Sequence, residues 1–284
     1  MSMHLGTLNV GAQLRMSGSI THRSSKLIPR KRDYNAPAAC AMAVMGKASA
    51  PGRTKTRLVP PLSAESAAHL NTAFLQDIIG NLLRAGREVQ IAPYVAFGPA
   101  GSEPFFRACL PANLPLLECS LPHFGDCLDR AITSLLRCGH DAACVLNADS
   151  PTLPTRLLVQ AARAIAQPMA DIVIGPSTDG GYYLLGVKCA HRRLFEEVDW
   201  STSRVFAQTT QRAAELGLSV TVLEPWYDVD DAAGLHRLRT DLADDLGAAA
   251  AGLYQAPYTR AALARMIRHL ENASIASFVA HGDR

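Results

Sequence analysis

Apolar positions along the chain fall into two alternating kinds of block. Ala39–Val44, Val89–Phe97, Leu114–Cys119, Ala142–Asn147, Asp171–Gly175, Tyr182–Val187 and Ser219–Leu223 are compact runs bounded by Gly, Pro, Asp, Asn or Ser, the pattern of buried strands. Between them apolar residues recur three and four apart. Leu70, Phe74, Leu75, Ile78, Ile79, Leu82 and Leu83 form one helical stripe, with Ser63 placed as its N-cap and Gly86 as its stop. Phe124–Gly139, with Leu128, Ile132, Leu135 and Leu136 inward, forms a second. Thr155–Gln167, Ser201–Leu216 (capped by Ser201 or Thr202), Asp231–Leu242 and Arg260–Glu271 read as further helices, and Phe105–Cys109 as a short one. Strands alternating with helices predict an α/β sandwich around a mainly parallel sheet.

Length and charge set the boundaries of this picture. A chain of 284 residues that is 48% hydrophobic has ample material for one large core. Residues 1–36 show weak periodicity and read as a disordered basic extension outside the fold. Residues 37–244 read as the folded domain and residues 245–284 as a helical tail. Arg15, Arg23, Lys26, Arg30, Lys31 and Arg32 are unopposed in the first 32 residues; without those six, 22 cations face 25 acids. The body is thus slightly acidic, which argues against a nucleic-acid partner. No apolar run is long enough to predict a membrane span. Seven cysteines, an odd number without a C-x-x-C pair, fit buried free thiols in a reducing cytoplasm better than disulfides or zinc.

The most distinctive stretch is Met45–Leu58, which follows the first strand and carries Gly46, Gly52 and the cations Lys47, Arg53, Lys55 and Arg57. Glycine lets a backbone approach oxygens closely, and cations with exposed N–H groups neutralise them, so the loop is designed to grip a polyphosphate. The alternative is a solvated basic turn; the loop's spacing fits neither the Walker loop nor the G-x-G-x-x-G fingerprint, so if it binds phosphates it belongs to another nucleotide-binding class.

Acids stand after two later strands. Asp149, in Asn147-Ala148-Asp149-Ser150-Pro151, is placed either to cap the next helix or to hold a divalent cation. Asp228, Asp230 and Asp231 lie within four residues after the last strand, where like charges need solvent, a helix N-terminus or a metal. Asp179, Gly180, Gly181 and Tyr182 form a turn of hairpin type, in which Asp179 can accept from hydroxyls and Tyr182 can stack. Asp199-Trp200-Ser201-Thr202 reads first as a hydrophobic staple and cap. No G-x-S-x-G elbow and no Cys/His pair supports a covalent nucleophile.

In this order the pieces resemble a known family. Lys47-Ala48-Ser49-Ala50-Pro51-Gly52-Arg53-Thr54-Lys55-Thr56-Arg57-Leu58 is similar to its K-A-P-x-P-G-x-x-K-T-R-L start, and Asn147–Pro154 to its x-x-D-S-P-x-L-P segment. Gly175–Gly186 resembles G-P-x-x-D-G-G-Y-Y-L-L-G, and Trp200-Ser201-Thr202 and Trp226-Tyr227-Asp228-Val229-Asp230 also fit. The family is the bacterial glycosyltransferase-like group, of uncharacterised or arsenosugar-biosynthesis type, within the GT-A nucleotide-diphospho-sugar transferase superfamily. It is more distantly similar to phospholactate guanylyltransferases and molybdenum-cofactor nucleotidyltransferases. Two departures stand out: Ser49 replaces the first Pro, and Asp231-Ala232 replaces Thr-Pro.

The resemblance implies a single-domain three-layer α/β/α GT-A fold, Rossmann-like, with a mixed and mainly parallel sheet. It implies that Lys47, Gly52, Arg53, Lys55 and Arg57 hold the phosphates of a nucleotide or nucleotide-sugar, with Lys55, Arg57 and Asp179 the catalytic candidates. Asp149, Asp230 and Asp228 would bind Mg²⁺ or Mn²⁺, and Asp179, Gly180, Gly181 and Tyr182 would face the sugar or a small-molecule acceptor. Three functions follow: a metal-dependent glycosyltransferase, a nucleotidyltransferase releasing pyrophosphate, or a nucleotide-binding module without catalysis.

Overall fold

A computed structural model describes residues 40–268. The expected basic extension, residues 1–36, and the end of the last predicted helix lie outside the described residues.

The seven compact apolar runs form one sheet: β1 (Cys40–Lys47), β2 (Ile91–Gly98), β3 (Leu116–Glu118), β4 (Ala143–Leu146), β5 (Ile172–Pro176), β6 (Tyr182–Val187) and β7 (Val220–Val222). Their order is β3-β2-β1-β4-β6-β5-β7. All pairings are parallel except those of β6, which runs antiparallel to both β4 and β5. The sheet is therefore mixed and mainly parallel.

The helices are α1 (Ala64–Ala85), α2 (Glu103–Cys109), α3 (Phe124–Arg137), α4 (Thr155–Ile165), α5 (Val205–Glu215), α6 (Ala232–Ala243) and α7 (Asp245–Ala250), with a further helix, α8, over residues 257–268. Ser63 caps α1 as expected, its hydroxyl accepting from Ser66 N–H. The expected cap at Ser201 or Thr202 is not formed. The helix begins only at Val205, and residues 200–204 make a turn in which Thr202 Oγ1 donates to Asp199 O at 2.7 Å.

Alternation along β1 divides the core in two. Cys40, Met42 and Val44 pack on one face with α1, α2, α4, α6 and α8, while Ala41 and Ala43 pack on the other with α3 and Ala213 of α5. Both faces of the strand are buried, as period-2 geometry requires in a sheet covered on each side. The result is a three-layer α/β/α fold. Residues after 244 join its first core cluster: Tyr254, Ala256, Ala262 and Leu263 are buried there, and Asp77 of α1 accepts the N–H groups of Tyr258 and Thr259 at 3.1 and 2.7 Å.

Candidate active site

The carboxyl ends of β1 and β4 lie at one edge of the sheet. Because β6 is reversed, the β5–β6 turn falls at that edge too. The chain after β7 returns there as well: Trp226 N–H donates to Pro176 O, Thr178 N–H to Trp226 O, and Val229 N–H to Asp149 O at 2.9 Å. Three segments distant in sequence are thereby stitched together, beside the end of β1 and at the place where open α/β sheets bind ligands.

The segment holding the late acids is anchored on both sides. Tyr227 OH donates to Asp241 on α6 at 2.7 Å and lies 3.0 Å from Thr152 Oγ1, and Val229 is fully buried. Asp231 caps α6, accepting from Gly234 N–H at 2.9 Å. The two readings of these acids thus divide between residues: Asp231 is the cap, and Asp228 and Asp230 are left facing the cleft. Nearby, the Asx-type contact belongs to Asn147, whose Oδ1 accepts from Asp149 N–H, so the Asp149 carboxylate is free for other partners.

Those partners begin with Lys55. Its side chain is only 5% exposed, and its ammonium lies 2.5 Å from Asp149 Oδ1, 2.8 Å from Asp230 Oδ1 and 2.8 Å from Val229 O. These three contacts match the three N–H bonds of an ammonium. The Phe74 ring lies 5.2 Å below it. Burial opposes the charge on Lys55, but Asp149 and then Asp230 outweigh it and raise its pKa. Lys55 itself holds a left-handed backbone, φ 50°, uncommon for a residue with a Cβ. Arg57, 69% exposed, reaches Asp230 Oδ2 at 2.5 Å from the solvent side. Burial would push Asp230 up, yet Lys55 and Arg57 hold its carboxyl below the usual range. Asp228 has no such help: burial, then the charges of Asp179, Asp230 and Asp149, push it up to about 7.

A cavity of about 360 Å³ opens in front of this array. Lys47, Arg57, Asp149, Asp179, Asp228 and Asp230 form its ionic side; Gly181 and Tyr182 line it as well. Gly52, Arg53, Lys55 and Gly180 do not line it. Gly52 (φ 70°) shapes an exposed turn, Arg53 is exposed, and Lys55 sits behind the acids. Lys47 Nζ donates to Arg53 O at 2.8 Å, which folds the loop back on itself. Ser49, at the departure from the family pattern, is fixed to α1 by Asn71 at 2.9 Å and Thr72 at 2.7 Å. A hydroxyl there replaces the stiffness of proline with two hydrogen bonds.

Asp179 plays a turn role with one oxygen: Oδ1 accepts from Gly181 N–H at 2.9 Å. Gly180 has φ 93° and no room for a Cβ, which would come within 2.2 Å of Ser203 O. The opposite wall of the cavity was not singled out by sequence reasoning as functional. It comprises Phe124, Leu128, Trp200, Thr202 and Val205. Its signal was the Trp-Ser-Thr triplet, which resembles the family pattern but reads first as a staple and cap.

A solved structure from Desulfovibrio desulfuricans G20, a protein whose assignment as a nucleotide-diphospho-sugar transferase is provisional, shares this architecture. It is 26% identical, with 73% of this chain and 90% of that one aligned at a TM-score of 0.66. The fold is thus that of the GT-A-like nucleotide-diphospho-sugar transferases, and the enzyme class it defines is transferase. Within that class, residues 81–202 match the family described as an uncharacterized protein conserved in bacteria (DUF2064). CMP:2-keto-3-deoxy-manno-octonic acid synthetase complexed with CTP is more remote, at 13% identity over 73% of this chain and 99% of that one, TM-score 0.46. So is the mannosyltransferase PcManGT from Pyrobaculum calidifontis in complex with GDP-Man and Mn²⁺, at 15% identity over 87% and 81%, TM-score 0.41. At these scores neither bears on function. No curated protein matches the chain.

Proposed function

We propose that the chain is a metal-dependent glycosyltransferase-like enzyme that takes a nucleotide-activated sugar as donor. The observation that carries this reading is the single cavity in which Lys47 and Arg57 stand beside Asp149, Asp228 and Asp230, with Asp179 further along. Cations and acids side by side suit a phosphate group neutralised jointly by side chains and a divalent ion.

The donor set fits Mg²⁺ or Mn²⁺ held together with ligand phosphates. Such ions take one or two protein carboxylates and complete their shell with phosphate and water. Lys55 engages one oxygen each of Asp149 and Asp230, and the second oxygen of Asp149 and the carboxyl of Asp228 stand beside the cavity. Among the described residues no three His, Cys, Asp or Glu side chains are arranged as a protein-only metal site. When bound, the ion would supply charge neutralisation for a departing nucleoside diphosphate.

The chain's own residues would divide the remaining work. Lys47 and Arg57 would grip the phosphates from the solvent side. Lys55 would hold Asp149 and Asp230 in place from behind. Asp179, with Oδ2 free of the turn, would orient an acceptor or sugar hydroxyl, and Tyr182 would close the cavity floor.

Nucleotidyl transfer is the second reading, supported by the exposure of Arg57 toward the phosphate side, which suits a triphosphate as well as a diphosphate. Assays for nucleoside diphosphate from nucleotide-sugars, and for pyrophosphate from nucleoside triphosphates with phosphorylated acceptors, separate the two. Calorimetry of GDP and UDP with and without Mn²⁺ tests the site itself. Metal-dependent binding that survives Asp149→Asn unchanged would refute the assignment of that residue. Absence of nucleotide binding under every condition would refute both transfer readings and favour a scaffold that has kept the fold.

A further inference from the structure

The cavity has two unlike sides, and only the ionic one has been used so far. Facing it stands a wall of Phe124, Leu128, Trp200 and Val205. Phe124 is 49% exposed, high for a residue of its size, and its ring meets Trp200 edge to face at 5.2 Å and 85°. Trp200 is locked from two directions. A Cβ on Gly125 would come within 3.1 Å of the Trp200 indole nitrogen, so the ring lies directly on the backbone of α3. On the other side the 200–206 segment is clamped to the β5–β6 turn, with Phe206 N–H donating to Gly180 O at 2.9 Å. Ser201, next to Trp200, takes φ 63°, an uncommon left-handed conformation for serine. The neighbouring backbone is therefore fixed by its surroundings, and Trp200 is a rigid plate.

Resting on the functional reading above, we propose that Trp200, backed by Phe124, is the platform for a neutral sugar ring. Two features select that chemistry. An aromatic face accepts the C–H face of a pyranose or the plane of a base. The polar groups that line the cavity with this wall include the hydroxyls of Ser201 and Thr202 and the carboxyl of Asp179, whose turn is clamped to the 200–206 segment. Hydroxyls and a carboxyl beside an aromatic plate match a ring edged with hydroxyls, which both donate and accept. The carboxyl would repel phosphate, which leaves the charged end of a ligand to the ionic side. The ring is either the sugar of the donor or that of the acceptor, the shared chemistry being hydroxyls on its edge and C–H bonds on its face.

The chain has two tryptophans, and Trp226 is buried at 9% exposure, so Trp226→Phe makes Trp200 the lone indole reporter. Its emission should be followed in titrations with UDP and GDP plus Mn²⁺, with UDP-glucose and GDP-mannose plus Mn²⁺, and with methyl glycosides of glucose, galactose, mannose and N-acetylglucosamine. Unmutated protein serves as the control for proper folding of the variant. A saturable shift with nucleotide-sugars, absent with the parent diphosphates, assigns the plate to the donor sugar. A shift with methyl glycosides alone assigns it to the acceptor. In either case Trp200→Ala should weaken sugar binding about tenfold, and Trp200→Phe should recover part of the loss. An equal shift with UDP or GDP would overturn the proposal in favour of a base. No response to any sugar would also overturn it. Calorimetric failure of UDP and GDP to bind would instead refute the nucleotide reading, since free glycosides test the plate without it.

Discussion

Lys55 and Asp149 form an ion pair at 2.5 Å in which the lysine side chain is almost wholly buried and the aspartate is one-third exposed. Desolvating an ammonium is costly, and here a second acid and a backbone carbonyl are recruited to offset it. Removing the cation leaves two carboxylates facing each other without it. Lys55→Met should destabilise the fold by about 3 kcal/mol, the lower end for a broken buried pair because both acids retain solvent contact. Urea unfolding of the variant measures this. Addition of Mn²⁺ should recover part of the loss, since a divalent ion can replace the missing charge.

Arg57 presents the opposite case. It pairs with the same Asp230 but is mostly exposed. Arg57→Ala should change stability by less than about 1 kcal/mol. Its loss should appear in ligand affinity: a charge-assisted bond to phosphate is worth about 1.5–3 kcal/mol, so GDP or UDP affinity with Mn²⁺ should fall at least tenfold. Calorimetry and unfolding on one sample check both halves. Equal loss in both would make Arg57 structural.

Gly180 lies where three constraints meet. With φ 93° and a Cβ that would strike Ser203 O at 2.2 Å, Gly180→Ala should cost about 1–3 kcal/mol. The strain falls on the clamp that holds residues 200–206, so sugar-dependent turnover should drop further than nucleotide binding. Comparison of the two in the variant tests whether the turn serves the sugar side.

Asp77 gives a pH dependence remote from the cleft. Burial pushes it up to about 6, against backbone hydrogen bonds from Thr259 and Tyr258 that lower it. A carboxyl whose folded pKa lies above its unfolded 3.8 favours the native state at low pH. Its contribution is complete below about pH 4 and is lost as pH rises through about 6. Relative to Asp77→Asn, the wild-type chain should therefore lose on the order of 3 kcal/mol between pH 4 and pH 8. Parallel urea titrations at the two pH values measure the difference, and a flat difference would refute the assignment.

Much of this fold was legible in the residue pattern. All seven strands were found, Tyr182–Val187 with the observed boundaries, and Ser63 with its cap. The reversal of β6 was not legible as such, although Asp179-Gly180 signalled a hairpin, because direction depends on partners that alternation does not name. The site was legible as a set of residues rather than as an arrangement. Lys55 was read as a phosphate ligand because a cation in a loop looks exposed; its partners are 94 and 175 residues away, and only tertiary packing turns it inward. Ser201 or Thr202 was read as a cap because a hydroxyl before an apolar stripe fits that role, but the turn over residues 200–204 delays the helix to Val205. Trp200 was passed over because a staple and a ligand platform share one local pattern.

The bond from Val229 N–H to Asp149 O joins two loops by their backbones, so the acids they carry are aligned before anything binds. Association then need not wait for a segment to order, and the entropy of arranging the loops has already been spent in folding. The rate at which a nucleotide and its cation arrive should be set by shedding water and by the local field. Such a site should fill in a single kinetic phase, without the lag that a closing flap would impose.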